Sequence, residues 1–263
     1  MEGSTTKTPT HYKENFPMLN EPTLDQLHAL RLGAFAEAWR EQQKNPDMAS
    51  LDFDERLAML VDAESLDRWN KRLARNLREA KLRLNNACIE EIDYTAPRKL
   101  DKAVVRGLSS CHWIRENQNV VITGKTGTGK TYLACALAQQ ACRKGYRAFY
   151  RRVPRLFEEI LLARAEGSYP RWLAKLARVD VLILDDWGLV PLRDSDRVDL
   201  LEIMEDRYGN RSTILTSQLP VSKWHDQVGD PTIADAFCDR LLHNAHRIEL
   251  HGPSRRKESK KQH

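Results

Sequence analysis

The stretch NVVITGKTGTGKT, residues 119–131, determines the fold class of this chain of 263 residues. It joins a short β-branched run, residues 119–123, to the pattern G-x-x-x-x-G-K-[ST]. The Ala- and Leu-rich run TYLACALAQQACRK, residues 131–144, predicts a helix directly after it. A glycine-rich turn between a strand and a helix points backbone N–H groups and the positive helix end at phosphate oxygens. The sequence therefore predicts a phosphate loop formed by Gly124, Lys125, Thr126, Gly127, Thr128, Gly129, Lys130 and Thr131.

Two side chains of the phosphate loop predict the ligand. Lys130 would place a positive charge at the β- and γ-phosphates, and the Thr131 hydroxyl would ligate Mg²⁺. We therefore expect ATP and Mg²⁺ as cofactors.

A second motif follows in DVLILDDWG, residues 180–188, where an apolar strand ends in two carboxylates. Ligands of open α/β sheets bind at the carboxyl ends of the strands. Successive side chains on a strand point in opposite directions, so Asp185 and Asp186 can take different tasks. We expect Asp185 at the Mg²⁺ site, through a coordinated water, and Asp186 to polarise the water that attacks the γ-phosphate.

A third motif is STILTSQLP, residues 212–220, a strand that ends in Thr216, Ser217 and Gln218. These polar groups would reach the same sheet edge, between the first two motifs if the strand order is the usual one for such hydrolases. One of them would orient the attacking water or sense the γ-phosphate. Gln218 is the first candidate and Ser217 the second.

The sequence around these motifs predicts the remaining strands of a sheet. Short β-branched runs separated by helix-compatible stretches predict five strands, at residues 119–123, 146–150, 180–184, 212–216 and 247–250. Such alternation is typical of a parallel α/β sheet flanked by helices.

The chain before the sheet differs in character. Residues 1 to about 20 predict a loose lead-in, and the pattern from Thr23 to about Ile92 is helical, with Pro97 at the junction. We expect a small all-α domain at 1–95 and an ATPase domain with a basic tail at 96–263. The sequence shows no long apolar run typical of a membrane span or a signal peptide, and no paired-cysteine pattern, so a cytoplasmic location is expected.

The net charge of +5 comes from two segments. Residues 68–83 carry seven basic residues and one acidic, and residues 254–263 carry five and one. In the first segment, Leu66, Trp69, Leu73, Leu77, Ala80 and Leu84 lie along one side of a predicted helix. The opposite side carries candidate phosphate contacts, namely Arg68, Lys71, Arg72, Arg75 and Arg78. A solvated helix face would show the same pattern.

Together, GKTGTGKT, LILDDWG, ILTSQLP and DRLLHNAHRIELHGPSRR resemble the IstB-type ATP-binding proteins of insertion sequences. These proteins are related to the DnaC helicase loader and the DnaA initiator within the AAA+ superfamily of P-loop NTPases. The resemblance implies ATP-dependent assembly into rings or spirals on duplex DNA, in the bacterial cytosol and associated with the nucleoid, and a cognate transposase as partner in target capture.

The resemblance also implies roles for further residues. Arg240 in Asp239-Arg240-Leu241 matches the motif that supplies an arginine finger to the neighbouring subunit's ATP, although an ordinary helix-surface arginine would look alike. The chain ends about ten residues after the last predicted strand, so no C-terminal lid domain is expected. Arg255 and Arg256 belong to the basic tail, which would strengthen DNA binding.

Between the second and third strands, residues 151–180 exceed what one crossover helix needs. Relatives place an additional, DNA-facing helix there, which makes Arg155 and Arg171 candidate DNA contacts. Two alternatives to the transposition helper remain open at this point. One is a DnaC-like helicase loader in replication, and the other is an adaptor that changes shape with ATP without hydrolysing it.

Overall fold

The structure of the chain, a computed structural model, describes residues 21–254. The chain forms two compact units that divide between Lys71 and Arg72. Among the described residues, no helix has the length and apolar character that a membrane span requires.

The first unit is helical. It contains α1 (Glu21–Ala29), α2 (Gly33–Lys44), a short 3-10 helix (Pro46–Ser50) and the beginning of the long helix α3 (Phe53–Ala80). Glu64 of α3 ties this unit together, because its carboxylate accepts a hydrogen bond from the Phe35 backbone N–H at 3.1 Å and from Arg68 Nε at 2.7 Å. The bond to Arg68 is the main reason that the pKa of Glu64 lies below its usual value.

The second unit begins within α3, upstream of the expected boundary at 95/96. Leu73, Leu77 and Ala80 pack against the core of this unit, and Asn76 Nδ2 donates to the carbonyls of Gly145 and Tyr146 at 3.3 and 3.0 Å. The prediction of helix to about residue 92 was wrong, since α3 ends at Ala80 and turns follow. The packing decides this end, because residues 82–92 supply further buried side chains to the same core.

The predicted apolar side of α3 is only partly buried. Leu66 and Trp69 are 59% and 39% exposed, whereas Leu73, Leu77 and Ala80 contribute to the core of the second unit. The predicted helix is therefore present, but only the apolar residues of its last two turns pack in the core of the second unit.

A five-stranded parallel sheet forms the centre of the second unit, in the order β2-β3-β4-β1-β5. All five predicted strands are confirmed, with bounds β1 (Asn119–Gly124), β2 (Ala148–Arg152), β3 (Val181–Trp187), β4 (Ser212–Ser217) and β5 (Ala245–Leu250). Because the sheet is covered on both faces, its inner strands β1, β3 and β4 are buried along almost their whole length, and in β1 Val120 and Ile122 face one core and Val121 the other.

Helices cover both faces of the sheet. They are α4 (Lys102–Ser109), α5 (His112–Arg115), α6 (Lys130–Arg143), α7 (Val153–Ala165), α8 (Tyr169–Arg178), α9 (Asp194–Arg207), α10 (Trp224–Val228) and α11 (Pro231–Leu242), with a 3-10 turn at Val221–Lys223. Side chains of α4, α5 and α6 belong to one core, and those of α7 to α11 to the other. Two helices, α7 and α8, connect β2 to β3, as the length of residues 151–180 predicted.

The sheet ends irregularly where the site lies. The register of β3 against β4 shifts between Leu184 and Trp187, and Asp186 adopts a left-handed backbone with φ of 62°. The two aspartates therefore occupy a bulge that turns their side chains in different directions. After β5 the described chain continues to Ser254, and the rest of the predicted basic tail, Arg255 and Arg256 included, lies outside the described residues.

Candidate nucleotide-binding site

The phosphate loop lies where the sequence predicted, between β1 and α6. Gly124 requires glycine, because its φ is 144° and an added Cβ would lie 2.2 Å from the Leu250 carbonyl oxygen. Gly129 caps α6 with φ of 99°, and an added Cβ would lie 2.7 Å from Arg98 Nη1. The buried Thr128 closes the loop, since its hydroxyl donates to the Lys125 carbonyl at 2.9 Å.

Lys130 folds its side chain back over the phosphate loop. Its ammonium donates to the carbonyls of Gly124 at 2.7 Å and Lys125 at 2.9 Å, and the residue is only 7% exposed. The ammonium therefore sits inside the curve of the loop, at the place where phosphate oxygens would be surrounded by backbone N–H groups.

Asp185 is fully buried at the carboxyl end of β3 and accepts hydrogen bonds from three hydroxyl groups. Thr131 Oγ1 lies 3.0 and 3.1 Å from its two carboxylate oxygens, Tyr150 donates to Oδ2 at 2.6 Å, and Thr216 donates to Oδ1. The fold thus brings Thr131 and Asp185 into contact from separate motifs, while their service as a shared metal site stays a prediction. The hydrogen bonds that Asp185 accepts from Tyr150 of β2 and Thr216 of β4 were not predicted.

Asp186 contacts a different set of side chains from Asp185 and faces two arginines. Arg152 Nε donates to its Oδ2 at 2.7 Å, and Arg83 Nη1 lies 3.7 Å from the same oxygen. The hydrogen bond from Arg152 to this carboxylate is the main reason that the pKa of Arg152 lies above its usual value. Asp186 remains partly open, with 16% of its side chain exposed.

Of the two candidates from the third motif, the structure brings Gln218 to the phosphate loop but not Ser217. β4 lies between β1 and β3, so its end does reach the space between the first two motifs. Gln218 contacts the phosphate loop, since Thr126 Oγ1 donates to its Oε1 at 2.6 Å. Ser217 is instead buried in a structural role, donating to the Trp187 carbonyl at 2.9 Å. Thr216, which the sequence did not single out, joins the two aspartates, because its hydroxyl accepts from the Asp186 N–H at 3.2 Å.

Sequence reasoning also missed Tyr150, Arg152 and Arg83 as residues of this site. Tyr150 lies in the middle of β2, and Arg152 lies at its carboxyl end, where it pairs in register with Asp185. A signal was present, because the predicted strand at 146–150 ends in a tyrosine followed by two arginines. Its relevance depended on knowing that β2 is a neighbour of β3.

Arg240 lies at the other end of the sheet. Asn119, the first residue of β1, donates to the Arg240 carbonyl at 3.2 Å, whereas the phosphate loop follows the last residue of the same strand. The Arg240 guanidinium forms an ion pair with Glu205 and donates to the Ala236 carbonyl at 2.9 Å. With Arg211 and other polar residues it lines a cavity at this end. Arg240 thus lies far from the phosphate loop of its own chain.

The candidate DNA contacts fall into two groups. Arg68 and Lys71 form ion pairs with Glu64 and Asp67, and Arg155 lies 3.6 Å from Glu159. The others are exposed and form no ion pair with any residue in the described range, namely Arg72, Arg75, Arg78 and Arg171. Arg72, Arg75 and Arg78 follow one another at helical spacing on the last turns of α3.

Comparison with known proteins identifies the family. The model of the family described as IstB-like ATP binding protein matches residues 25–263. An insertion sequence ATP-binding protein of Sinorhizobium fredii, y4pL, is 49% identical over 93% of this chain and 99% of its own length. The ATP-binding protein of insertion sequence IS1162 from Pseudomonas fluorescens is 53% identical over 78% of this chain and 89% of its own length.

Solved structures agree on the fold. The DnaC helicase loader is 22% identical with a TM-score of 0.50, covering 56% of this chain and 86% of its own. DnaA from Aquifex aeolicus, in its AMPPCP-bound form, is 24% identical with a TM-score of 0.53, covering 67% of this chain and 54% of its own. Both likenesses concern the P-loop AAA+ fold alone. On the family match and the identity of these relatives, the chain belongs to the IstB-like ATP-binding proteins of insertion sequences.

Proposed function

We propose that this protein is a Mg²⁺-dependent ATPase that assembles on duplex DNA and assists the transposase of its insertion sequence, in the bacterial cytosol and on the nucleoid. The observation that carries the proposal is the arrangement of Thr131, Asp185 and Asp186 around the phosphate loop, with one carboxylate buried and the other partly open. The names of the relatives favour transposition over replication as the process served.

The residues of the site fit ATP and Mg²⁺. Oxygen ligands are those that Mg²⁺ prefers, and the hydroxyl of Thr131 and the carboxylate of Asp185 converge within 3.1 Å. When bound, Mg²⁺ would neutralise charge on the β- and γ-phosphates. Lys130 would exchange its loop carbonyls for phosphate oxygens, and Gln218 would orient a water or the γ-phosphate from its place beside Thr126.

Asp186 is the proposed general base. Its carboxylate is the one with an open side, so it can accept a proton from a water that attacks the γ-phosphate. Asp185 cannot take this role from its position, because three hydroxyl groups surround its buried oxygens. Different tasks for the two aspartates are therefore proposed, because hydroxyl groups enclose one carboxylate and the other is partly open.

The proposal is tested by single-turnover ATP hydrolysis with and without duplex DNA. We expect DNA to stimulate ATP hydrolysis by the wild-type protein. We also expect the protein to increase strand transfer by the cognate transposase only when ATP is present. Lys130→Ala should weaken ATP binding about 100-fold, since the ammonium that would donate charged hydrogen bonds to the phosphate oxygens is lost. The variant should therefore show neither DNA-stimulated hydrolysis nor ATP-dependent stimulation of the transposase.

The control for Lys130→Ala is Lys144→Ala, which removes a lysine at the opposite end of α6. It should bind ATP and respond to DNA as the wild type does. The absence of hydrolysis both with and without DNA would refute the ATPase assignment in favour of an adaptor, whereas hydrolysis that DNA leaves unchanged would refute the coupling of hydrolysis to DNA. Normal hydrolysis without any effect on the transposase would refute the assigned partner.

Duplex DNA should bind through the unpaired arginines of α3. Replacing Arg72, Arg75 and Arg78 by Gln removes three exposed charges that no described acidic residue neutralises. We expect weaker binding to all DNA sequences alike, and a salt dependence, log K against log salt concentration, that is less steep by about three. Fluorescence anisotropy with two unrelated duplexes at several salt concentrations measures both.

A variant with the same net charge controls for long-range electrostatics. Arg40→Gln, Lys44→Gln and Arg193→Gln remove three charges that lie in ion pairs with neighbouring acidic residues. This control should keep the salt dependence of the wild type. If both triple variants lose the same affinity, the arginines of α3 do not contact phosphates directly.

A further inference from the structure

Tyr150 places a hydroxyl group inside the nucleotide site from a strand that carries no nucleotide-binding motif. The residue is 6% exposed, and its O–H donates to Asp185 Oδ2 at 2.6 Å. Its ring packs in the core on the α6 side of the sheet. The ring is therefore held by packing while the hydroxyl reaches the carboxylate.

The two strands beside β3 hold Asp185 from opposite sides. Tyr150 of β2 donates to Oδ2, and Thr216 of β4 donates to Oδ1. Thr216 is itself fixed, because its oxygen accepts from the Asp186 N–H at 3.2 Å. A carboxylate bonded at both oxygens from opposite sides cannot rotate about its last bond without breaking one of these contacts.

Thr131 differs from these two donors. It also contacts both oxygens of Asp185, at 3.0 and 3.1 Å, but it would turn its oxygen to the metal when Mg²⁺ binds. Tyr150 and Thr216 are then the hydroxyl groups that still orient the carboxylate.

The Tyr150 hydroxyl serves as a donor to Asp185. A tyrosine side chain keeps its phenolic proton at neutral pH, and that of Tyr150 is directed to Asp185 Oδ2 at 2.6 Å. Arg83 Nη1 lies 3.9 Å from the same oxygen, so Tyr150 makes the closer contact.

We propose that Tyr150 is a positioning residue of the metal site, which holds the Asp185 carboxylate in the orientation that the water shell of Mg²⁺ requires. This inference rests on the proposed function, in which Asp185 serves Mg²⁺. Outer-shell hydrogen bonds of this kind orient a ligand and tune the affinity for the metal. Tyr150 itself touches neither the nucleotide nor the metal.

The test is the binding of a fluorescent ATP analogue at increasing Mg²⁺ concentration and in EDTA. Tyr150→Phe keeps the ring and removes only the hydroxyl. We expect its affinity in EDTA to equal that of the wild type, and the Mg²⁺ concentration for half-maximal enhancement to rise about 10-fold, as for the loss of one hydrogen bond to a charged group.

Two further variants make the result decisive. Tyr146→Phe applies the same change to a tyrosine of the same core whose hydroxyl makes no hydrogen bond with a described residue, and it should behave as the wild type. Asp185→Asn should abolish the enhancement by Mg²⁺. If it does not, the proposed metal role of Asp185 fails.

If Asp185→Asn abolishes the enhancement but Tyr150→Phe leaves it unchanged, the inference about Tyr150 alone is overturned. An equal loss of affinity for Tyr150→Phe in EDTA and in Mg²⁺ would also overturn it, because that result would show a role in packing only. Thermal melting in EDTA completes the comparison of the three variants.

Discussion

Asp186→Asn should slow ATP hydrolysis about 10³-fold while the protein still binds ATP and DNA. An amide has nearly the shape of the carboxylate but cannot accept the proton of the attacking water. The backbone should tolerate the change, because asparagine adopts the left-handed conformation that Asp186 shows, with φ of 62°, more readily than most residues. The variant should therefore remain in its ATP-bound form.

The readout that separates this role from a structural one is the dissociation of the protein from DNA. With ATP present, the wild type should leave DNA as ATP is hydrolysed, whereas Asp186→Asn should persist on it. Rapid dilution of preformed complexes, followed by light scattering, measures the two rates. If Asp186→Asn leaves DNA as fast as the wild type, Asp186 is not the base.

Asp226→Asn is a matched control for this experiment. Asp226 is an exposed aspartate of α10, 78% open at its side chain, far from the phosphate loop in sequence. The same chemical change there should leave hydrolysis and dissociation as in the wild type. Any loss shared by both variants would point to the overall charge and not to the site.

Arg240→Ala should lower DNA-stimulated ATP hydrolysis about 10³-fold without weakening ATP binding. Arg240 lies at the opposite end of β1 from the phosphate loop, so it cannot stabilise the γ-phosphate of its own chain. If this guanidinium serves hydrolysis, as the proposed arginine finger, it must act on the nucleotide of a neighbouring subunit. Its ion pair with Glu205 would have to open when a neighbour assembles.

A mixing experiment tests whether Arg240 acts across subunits. Arg240→Ala subunits keep an intact ATP site, and Lys130→Ala subunits keep an intact Arg240. Neither variant should hydrolyse ATP alone, whereas a mixture should recover part of the activity, because some Arg240→Ala sites would face an intact arginine.

The control for the mixing experiment is Arg247→Ala, an exposed arginine on β5 that forms no ion pair with a described residue. It should hydrolyse ATP normally by itself. No recovery in the mixture, with assembly on DNA verified by electron microscopy, would contradict a trans role for Arg240.

Much of the fold was predictable because its signals are local. Short β-branched runs that alternate with helix-compatible stretches are a local signal, and all five strands were found from it. The end of α3 was not predictable in this way. Leu77, Ala80 and Leu84 continue the helical spacing, but the chain turns after Ala80 and Lys81 takes a φ of 50°. Packing of residues 82–92 in the core outweighs the local pattern.

The candidate site was likewise predictable only where its signals are local. The sequence alone determined the glycine-rich loop between β1 and α6 and the two adjacent aspartates at the end of β3, because these follow from a local motif and a short apolar run, while the separate tasks of the aspartates stay a prediction. Only the tertiary structure decided that Thr216 and not Ser217 joins the aspartates, and that Tyr150 and Arg152 reach Asp185 and Asp186. Those contacts depend on β2 and β4 being the neighbours of β3, and strand order results from the packing of the whole sheet.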